Sequence, residues 1–511
     1  MRLFSLLLSA PTSWKKYLIE WRGIESSLRI NEFVDAAQVV LYDRNNNNLN
    51  DYNINFNQVI EDTLSNNPIA VYCKLPADEE AIKTIVKRCS TVRTISEVWT
   101  DIEIKNNYQN NQDIEIGENI CNNCIDDNKY HEILQSFNSY NNAWRTDFRR
   151  YGRGGRSGMT YDEKSTFLKQ LDPLFYKLND SLPNFKVDLQ NYYHKLFYLE
   201  DWSNYHNQLE LLKAQERIKN GCNDDTLIDL DILSQSIQPS RAIFGRIIAE
   251  GENYEKLYSV KNRPFIGTTS MDAITSQISA NAARIKKDQK GLDPFAGTGS
   301  LPLAAALLDA QVTLSDIDSE GLGISTIGTN VEAGEIPKKN SAFKRKEGIE
   351  FESNSGGPIE NFKYYNVENN VKNILVKDVR DWLYDEESFD FIVTDPPFGR
   401  RERAAGSASS SPSLNNAMGE PDIAVEFMLQ VAEKRLNNEG TIAFWMPTES
   451  STTLDTLKEK LKVLEKRAGI ESSSLKFKRA TRQELHSGLS RWLCVYSKSN
   501  IKWTYSITKD T

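Results

Sequence analysis

Residues 292–318 read LDPFAGTGSLPLAAALLDAQVTLSDID, and this stretch decides the fold. Leu292 and Asp293 end a strand, Gly297 and Gly299 strip the side chains from a tight turn, and the apolar run after Ser300 has a helical character. That helix starts near Thr298 or Ser300 and presents free backbone N–H groups and a positive dipole end above the strand. The VTLSDID that follows alternates Val312 and Leu314, then closes in Asp316 and Asp318. Strand, glycine turn, helix and strand in this order open a doubly wound α/β sheet, which binds ligands at the carboxyl ends of its strands. The lysine of a phosphate-binding loop is absent, and 297-GTGSLP has two glycines where the dinucleotide pattern needs three. The turn suits instead a ligand with an amino acid end. Asp293 accepts from an ammonium, and Asp316 or Asp318 receives a ribose diol.

Two more strand ends lie further along. NILVKDV at 373–379 is a third apolar run ending in Asp378, and FDFIVTDPPFGR at 389–400 is a fourth. Strand ends at 293, 316–318, 378 and 395 therefore line one edge of one sheet. Pro396 and Pro397 lack N–H groups and hold φ near −65°, so the loop after Asp395 is stiff, rich in acceptors and poor in donors. Such a volume suits an exocyclic amino group on a flat ring: Phe398 stacks on the ring while Asp395 and the Pro396 carbonyl accept the amino hydrogens. A carboxylate of ordinary pKa, about 4, would act there by positioning rather than by full deprotonation.

The chain has 511 residues and a formal net charge of −9, with 39% hydrophobic content. Two or three soluble domains fit that length, and any nucleic-acid surface must be local. No segment reaches the roughly 20 apolar residues of a membrane span, and the short run from Leu3 to Ala10 reads as a first strand rather than a leader. Six cysteines are scattered, and only Cys121 and Cys124 form a C-x2-C pair, with His131 the one histidine nearby. No zinc site is completed, so no metal is expected; free thiols fit a reducing cytosol or nucleus, and a cytoplasmic protein is expected.

Before residue 240 the signals are weaker. Ile30 to Leu41 has helical spacing, the asparagine tract from 45 reads as a surface loop, and Ile69 to Leu75 alternates as a strand. A helix follows Pro76, and VRTISEVW comes after it. Residues 106–128 are polar and acidic and read as loop. WRTDFRRYGRGGRSG then concentrates Arg145, Arg149, Arg150, Arg153 and Arg156. It reads as a loop whose guanidinium groups hold phosphates, or else as a solvated basic surface. Phe185 to Leu189 and Lys195 to Leu199 read as strand pieces. Three domains are expected: an α+β domain at 1–100, an RNA-binding domain at 101–230 and an α/β domain at 231–505 that carries a probable insertion at 334–360. The C-terminal pieces read as a helix at 423–436, a strand at 441–446, a charged helix at 454–467 and a closing hairpin.

FGRIIAEG, NRPFIGTTSMDA, LDPFAGTGS, DID and DPPFGRRER, in that order, resemble the catalytic subunits of the eukaryotic tRNA guanosine-10 N2-methyltransferase family. These pair an N-terminal domain and a THUMP domain with a Rossmann-like class I methyltransferase domain of seven mostly parallel strands. The resemblance implies S-adenosylmethionine as cofactor, tRNA as substrate, methylation of a guanine N2, and a heterodimer with a small zinc-containing activator. Carried over residue by residue, the cofactor loop falls on Asp293, Phe295, Gly297, Thr298 and Gly299. The ribose acid is Asp316 or Asp318, the adenine-side acid is Asp378, and the catalytic quartet is Asp395, Pro396, Pro397 and Phe398. Asp272, at the helix start after Thr269 and Ser270, is a cofactor contact or a helix-start residue. Arg400 and Arg401 open a small-residue loop beside the RNA. The DPPF motif alone is equally compatible with another RNA guanine, DNA adenine or a protein glutamine as acceptor. A non-catalytic RNA-binding subunit would have no reason to keep the acceptor-lined loop beside a glycine turn.

Overall fold

The computed structural model describes residues 14–23, 26–44, 56–62, 67–104, 115–137, 140–152, 158–220, 237–267, 270–319, 322, 344–345, 357–397, 421–486 and 488–499. The expected strand at 3–10, the asparagine tract from 45 to 55, and most of 334–360 lie outside them.

The first half of the chain builds one sheet. Its strands are β1 (Trp14–Trp21), β2 (Phe56–Asp62), β3 (Asn67–Pro76), β4 (Val92–Glu103), β5 (Trp144–Tyr151), β6 (His194–Asp201) and β7 (Arg241–Glu250). They lie in the order β2-β3-β1-β4-β7-β6-β5, antiparallel except for β5 beside β6. The boundary drawn between residues 100 and 101 falls inside β4, which pairs with both β1 and β7. Alternation explains β3. Val71, Cys73 and Leu75 enter a core with α1 (Ser26–Arg44) and α2 (Glu79–Arg88), while Ala70 and Tyr72 enter a second cluster. Helix α2 is held at its start by the Asp78 carboxylate, which accepts from Ala81 N at 3.0 Å, and it buries Ala81, Ile82, Ile85 and Val86.

Two local expectations are corrected here. The polar stretch read as loop at 106–128 contains α3 (Ile116–Ile125) and the start of α4 (Asp127–Leu134). Ile120, Cys121 and Cys124 fall on one buried face of α3, whereas Glu118, Asn119, Asn122 and Asn123 are exposed. Polar composition hid a helical stripe. Burial pushes the Cys124 thiol up to about 12, so it behaves as a small core hydrophobe. The strand piece expected at 185–189 is an extended segment with a single bridge, Trp144 to Val187.

The second half forms the other seven-stranded sheet: β9 (Lys290–Asp293), β10 (Gln311–Asp316), β12 (Val371–Val376), β13 (Phe389–Thr394), β14 (Leu436–Glu449), β15 (Lys476–His486) and β16 (Leu489–Ser497). A two-residue strand β8 (Phe265–Ile266) pairs with β11 (Lys344–Arg345) outside it. The order is β12-β10-β9-β13-β14-β16-β15, parallel from β12 to β14, with β16 antiparallel to both β14 and β15. Counted from β9, that is 3-2-1-4-5-7-6, the seven-stranded, mostly parallel Rossmann-like sheet expected from the sequence. Chain order reverses between β9 and β13, and an open α/β sheet binds its ligand at that switch point. Apolar clusters cover both faces, one including Leu301, Leu303, Ala305 and Phe391, the other Ile392, Val425, Phe444 and Leu461.

The two halves meet through a buried polar seam. Glu32 of α1 accepts from Ser90 N (2.8 Å), Thr91 N (3.0 Å) and Asn281 Nδ2 (3.3 Å) on the helix Ala273–Ala282. Arg88 at the end of α2 donates to Asn281 Oδ1 at 3.2 Å and to the Ile285 carbonyl at 2.7 Å. Breaking one partner would strand a buried polar group, so the seam fixes the N-terminal sheet against the α/β domain.

Candidate active site

At the switch point β9 and β13 each deliver a carboxylate. Asp293, the last residue of β9, is buried and accepts from Thr394 Oγ1 at 2.6 Å and Phe295 N at 3.1 Å. Burial is the main force on it, with the Asp316 and Asp395 charges adding to it, and together they push its pKa up to about 8. Asp395 follows β13 directly. Its side chain is 28% exposed at one side, yet Oδ1 is sealed from solvent and accepts no hydrogen bond from a described residue. Arg491 Nη1 stands 3.9 Å from Oδ2, too far for a hydrogen bond and near enough for charge. Burial pushes Asp395 up to about 7 against the opposing pull of Arg491. The expectation of an ordinary carboxylate is thereby corrected: a group poised near neutrality is a far better proton acceptor than one near 4. Pro396 is buried and Pro397 half-buried; Phe398, Arg400 and Arg401 lie outside the described residues.

The turn after β9 is shaped by two left-handed glycines, Gly297 at φ 49° and Gly299 at φ 77°. A Cβ on Gly299 would come within 3.1 Å of Leu314 and Pro358, but one on Gly297 would meet no described residue within 4 Å. Gly299 is thus required by packing, whereas Gly297 clears room above the loop. Behind the turn, Ser270 and Thr298 share a hydrogen bond at 2.8 Å and Arg263 donates to Ser300 Oγ at 2.7 Å. Thr269 lies outside the described residues. Phe295 packs on the core from a half-buried position.

Asp316 and Asp318 are now distinguishable by placement. Asp316 ends β10 facing the loop: Oδ2 accepts from Gly297 N at 2.8 Å and Oδ1 from Asp318 N at 2.9 Å. A carboxylate in this place is the group type that accepts from a diol. Asp318 is exposed beyond it. Asp378 sits past the end of β12 and is clasped by Arg380 at 2.7 and 2.9 Å, which lowers its pKa. Asp272 caps the helix Ala273–Ala282 by accepting from Thr275 N at 2.8 Å, the helix-start role.

The arginine-rich segment is corrected from loop to strand. Residues 144–151 are β5; its consecutive central arginines leave opposite faces of the strand, and both are buried. Arg149 is buried and ion-paired with Glu20 of β1, while Asp147 lies 3.3 Å from its other nitrogen. Arg150 is buried against Glu200 of β6 and reaches Glu163 at 2.9 Å. Arg145 is partly exposed, 3.6 Å from Asp147 and over the Tyr192 ring at 4.3 Å. Arg153 and Arg156 lie outside the described residues.

Sequence reasoning missed Thr394 and Arg491. A hydroxyl directly before Asp395 on a strand end was the available signal for the first. For the second it was a lone charge, the arginine inside LSRWLCVYS.

A sheet of this order, with a glycine turn after its first strand and Asp-Pro-Pro after its fourth, defines a class I methyltransferase domain. Residues 261–462 match the family model UPF0020, an RMKL-like methyltransferase domain. Within that class the chain is homologous to tRNA (guanine(10)-N(2))-methyltransferases. It is 33% identical over 236 residues to TRMT11 of Mus musculus, covering 43% of this chain and 47% of that protein. It is 37% identical over 185 residues to that of Homo sapiens (34% and 35%), and 27% over 245 residues to that of Saccharomyces cerevisiae (43% and 50%). The matches span about half the length of these relatives or less. Among solved structures, TrmN from Thermus thermophilus aligns over 95% of this chain and 100% of its own, at 12% identity and a TM-score of 0.38.

Proposed function

We propose that the chain is the catalytic subunit of a cytoplasmic tRNA methyltransferase, which transfers a methyl group from S-adenosylmethionine to N2 of the guanosine at position 10. The observation that carries this reading is the meeting of Asp293 and Asp395 at the switch point. Both are acids pushed toward neutrality, and one has a sealed oxygen that accepts no hydrogen bond from a described residue. The residues fit the cofactor. Asp293 and the cleared space over Gly297 suit an ammonium and carboxylate end, and Asp316 suits the ribose hydroxyls.

S-adenosylmethionine, when bound, supplies an electrophilic methyl on a positively charged sulfur. The protein's task is to aim N2 at it. Guanine N2 is a weak nucleophile because its lone pair is drawn into the ring. Asp395 accepts one amino hydrogen and the Pro396 carbonyl the other, turning the lone pair toward the methyl, and Phe398 holds the ring face. As the N2–methyl bond forms and the methyl–sulfur bond breaks, one N2 proton passes to Asp395 and then to solvent. The buried seam at Glu32 and Arg88 keeps the N-terminal sheet, with its THUMP-like part, at a fixed distance from this pocket, and Arg145, Arg153, Arg156, Arg400 and Arg401 supply phosphate contacts. A small zinc-bearing activator completes a heterodimer against the α/β domain. The test is mass analysis of tRNA nucleosides after incubation with labelled cofactor, with and without the activator. N2-methylguanosine that depends on Asp395 is expected. Label on another base, or none under either condition, defeats the reading.

A further inference from the structure

We propose that Arg491 is a positioning residue for this reaction: a buried guanidinium, clamped by Gln483 and Trp445, that is the cationic neighbour of Asp395 among the described residues. The inference rests on the reading of Asp395 as the acceptor of the N2 hydrogen.

The geometry is built from three strands. Arg491 of β16 lies opposite Pro447 of β14 and Gln483 of β15. β14 separates β16 from β13, so the arginine reaches over it, roughly 10 Å across two strand spacings, to the residue after β13. A proline at the crossing point offers no longer side chain to block the way. The guanidinium is fixed from two sides. Its Nε donates to Gln483 Oε1 at 2.7 Å, and its plane lies over the Trp445 ring at 4.3 Å. Trp445 is itself pinned, because its Nε1 donates to Ser279 Oγ at 2.8 Å, and that hydroxyl donates to the Thr275 carbonyl at 2.8 Å. Arg491 is 9% exposed, and it is the one charged residue of β16, Leu489–Ser497.

The groups facing Asp395 decide its ionisation. Burial disfavours the charge on Asp395, and Arg491, facing it from β16, favours it; Asp293 of β9 is itself raised by the Asp395 charge. On β15, Arg482 and Glu484 pair with one another at 3.2 Å. Removing the Arg491 charge therefore leaves the burial of Asp395 unopposed, and its pKa rises. Since the carboxylate is the form that takes the N2 proton, the acid limb of the rate profile must move to higher pH.

The experiment compares the full chain, with its activator where activity requires it, as parent, Arg491→Gln, Arg491→Lys, Gln483→Ala and Asp395→Asn. Single-turnover methyl transfer is measured against pH. Independently, the Asp395 carboxylic acid stretch is titrated by infrared difference, with Asp395→Asn identifying the band. Arg491→Gln should move both the limb and the titration upward by about one pH unit, a roughly tenfold rate loss on the acid side that closes at alkaline pH. Arg491→Lys should recover part of the shift, and Gln483→Ala should show a smaller shift of the same sign. A loss equal at all pH values, or an unmoved titration, overturns the assignment. Should Arg491→Gln fail to fold, unshifted profiles in Arg491→Lys and Gln483→Ala overturn it in the same way. Parental turnover in Asp395→Asn sinks the reading of Asp395 itself; an inactive Asp395→Asn with an unmoved limb sinks only the role of Arg491.

Discussion

Two regions of the molecule bury charge, and they do so in opposite ways. In the N-terminal sheet the buried arginines Arg149 and Arg150 each meet a buried glutamate, Glu20 or Glu200, and each also reaches a second carboxylate. At the edge of the methyltransferase sheet, Asp293 meets a hydroxyl and an amide, and Asp395 has, among the described residues, a cation at 3.9 Å and an oxygen that accepts no hydrogen bond. The first arrangement is closed: each guanidinium is held by two carboxylates of the protein itself. The second is open, and a positively charged ligand beside an amino group would complete it. Buried charge marks function only where the protein leaves it uncompensated.

The sharpest test of the open half is Asp395→Ala. It should lower turnover roughly 10²–10⁴-fold while calorimetry finds cofactor affinity near that of the parent. Near-parental turnover would mean that the unused oxygen is not the acceptor. The matching test of the closed half is Arg149→Met, which leaves Glu20 buried without its partner. Urea unfolding should show a loss of about 3–5 kcal/mol, with the salt dependence of tRNA binding unchanged. Full stability together with a shallower salt slope would break the comparison, since the arginine would then be serving RNA.

How much of this contrast could be read from the chain depends on the distance over which its causes act. The open site was legible because each of its elements is local. Asp293 leads into its own glycine turn, Asp316 ends its own alternating strand, and Asp395 precedes its own prolines. The closed site was not. Five arginines within WRTDFRRYGRGGR look alike in sequence, and what separates Arg149 from a phosphate ligand is Glu20, far back on β1 and brought beside it only by the sheet. Arg491 was missed for the same reason, for its meaning comes from Asp395 two strands away. Helix α3 was lost differently: asparagines on its exposed face outweighed Ile120, Cys121 and Cys124 on its buried one.

The two glycines of the turn sharpen the comparison within the open half itself. Gly299→Ala puts a Cβ at φ 77° within 3.1 Å of Leu314 and Pro358, and should cost about 1–3 kcal/mol of stability. Gly297→Ala meets no described residue within 4 Å, so its stability loss should be smaller, about 1 kcal/mol, while its cofactor affinity falls more. Thermal denaturation beside calorimetric titration separates the two. Equal effects in both assays would mean that Gly297 serves the fold and does not clear a ligand space.

The smallest effect expected is a proton count. Asp293 has a folded pKa of about 8, against an ordinary aspartate value of about 3.9. The folded state therefore holds a proton that the unfolded chain has lost. The group's contribution to stability is full below the unfolded value and disappears as pH rises through the window up to the folded one. A ligand that brings an ammonium to Asp293 favours the ionised form, so binding within that window must expel a proton, and affinity must rise with pH until it flattens above about 8. Titration of the cofactor at about pH 6 in two buffers of different ionisation enthalpy reads the release directly, up to about one proton per site. Asp293→Asn should bind more weakly and release correspondingly less. Equal binding enthalpies in both buffers would mean that Asp293 is already ionised before the ligand arrives. The edge of the sheet would then be compensated from within, as the N-terminal sheet is, and the contrast between the two regions would be lost.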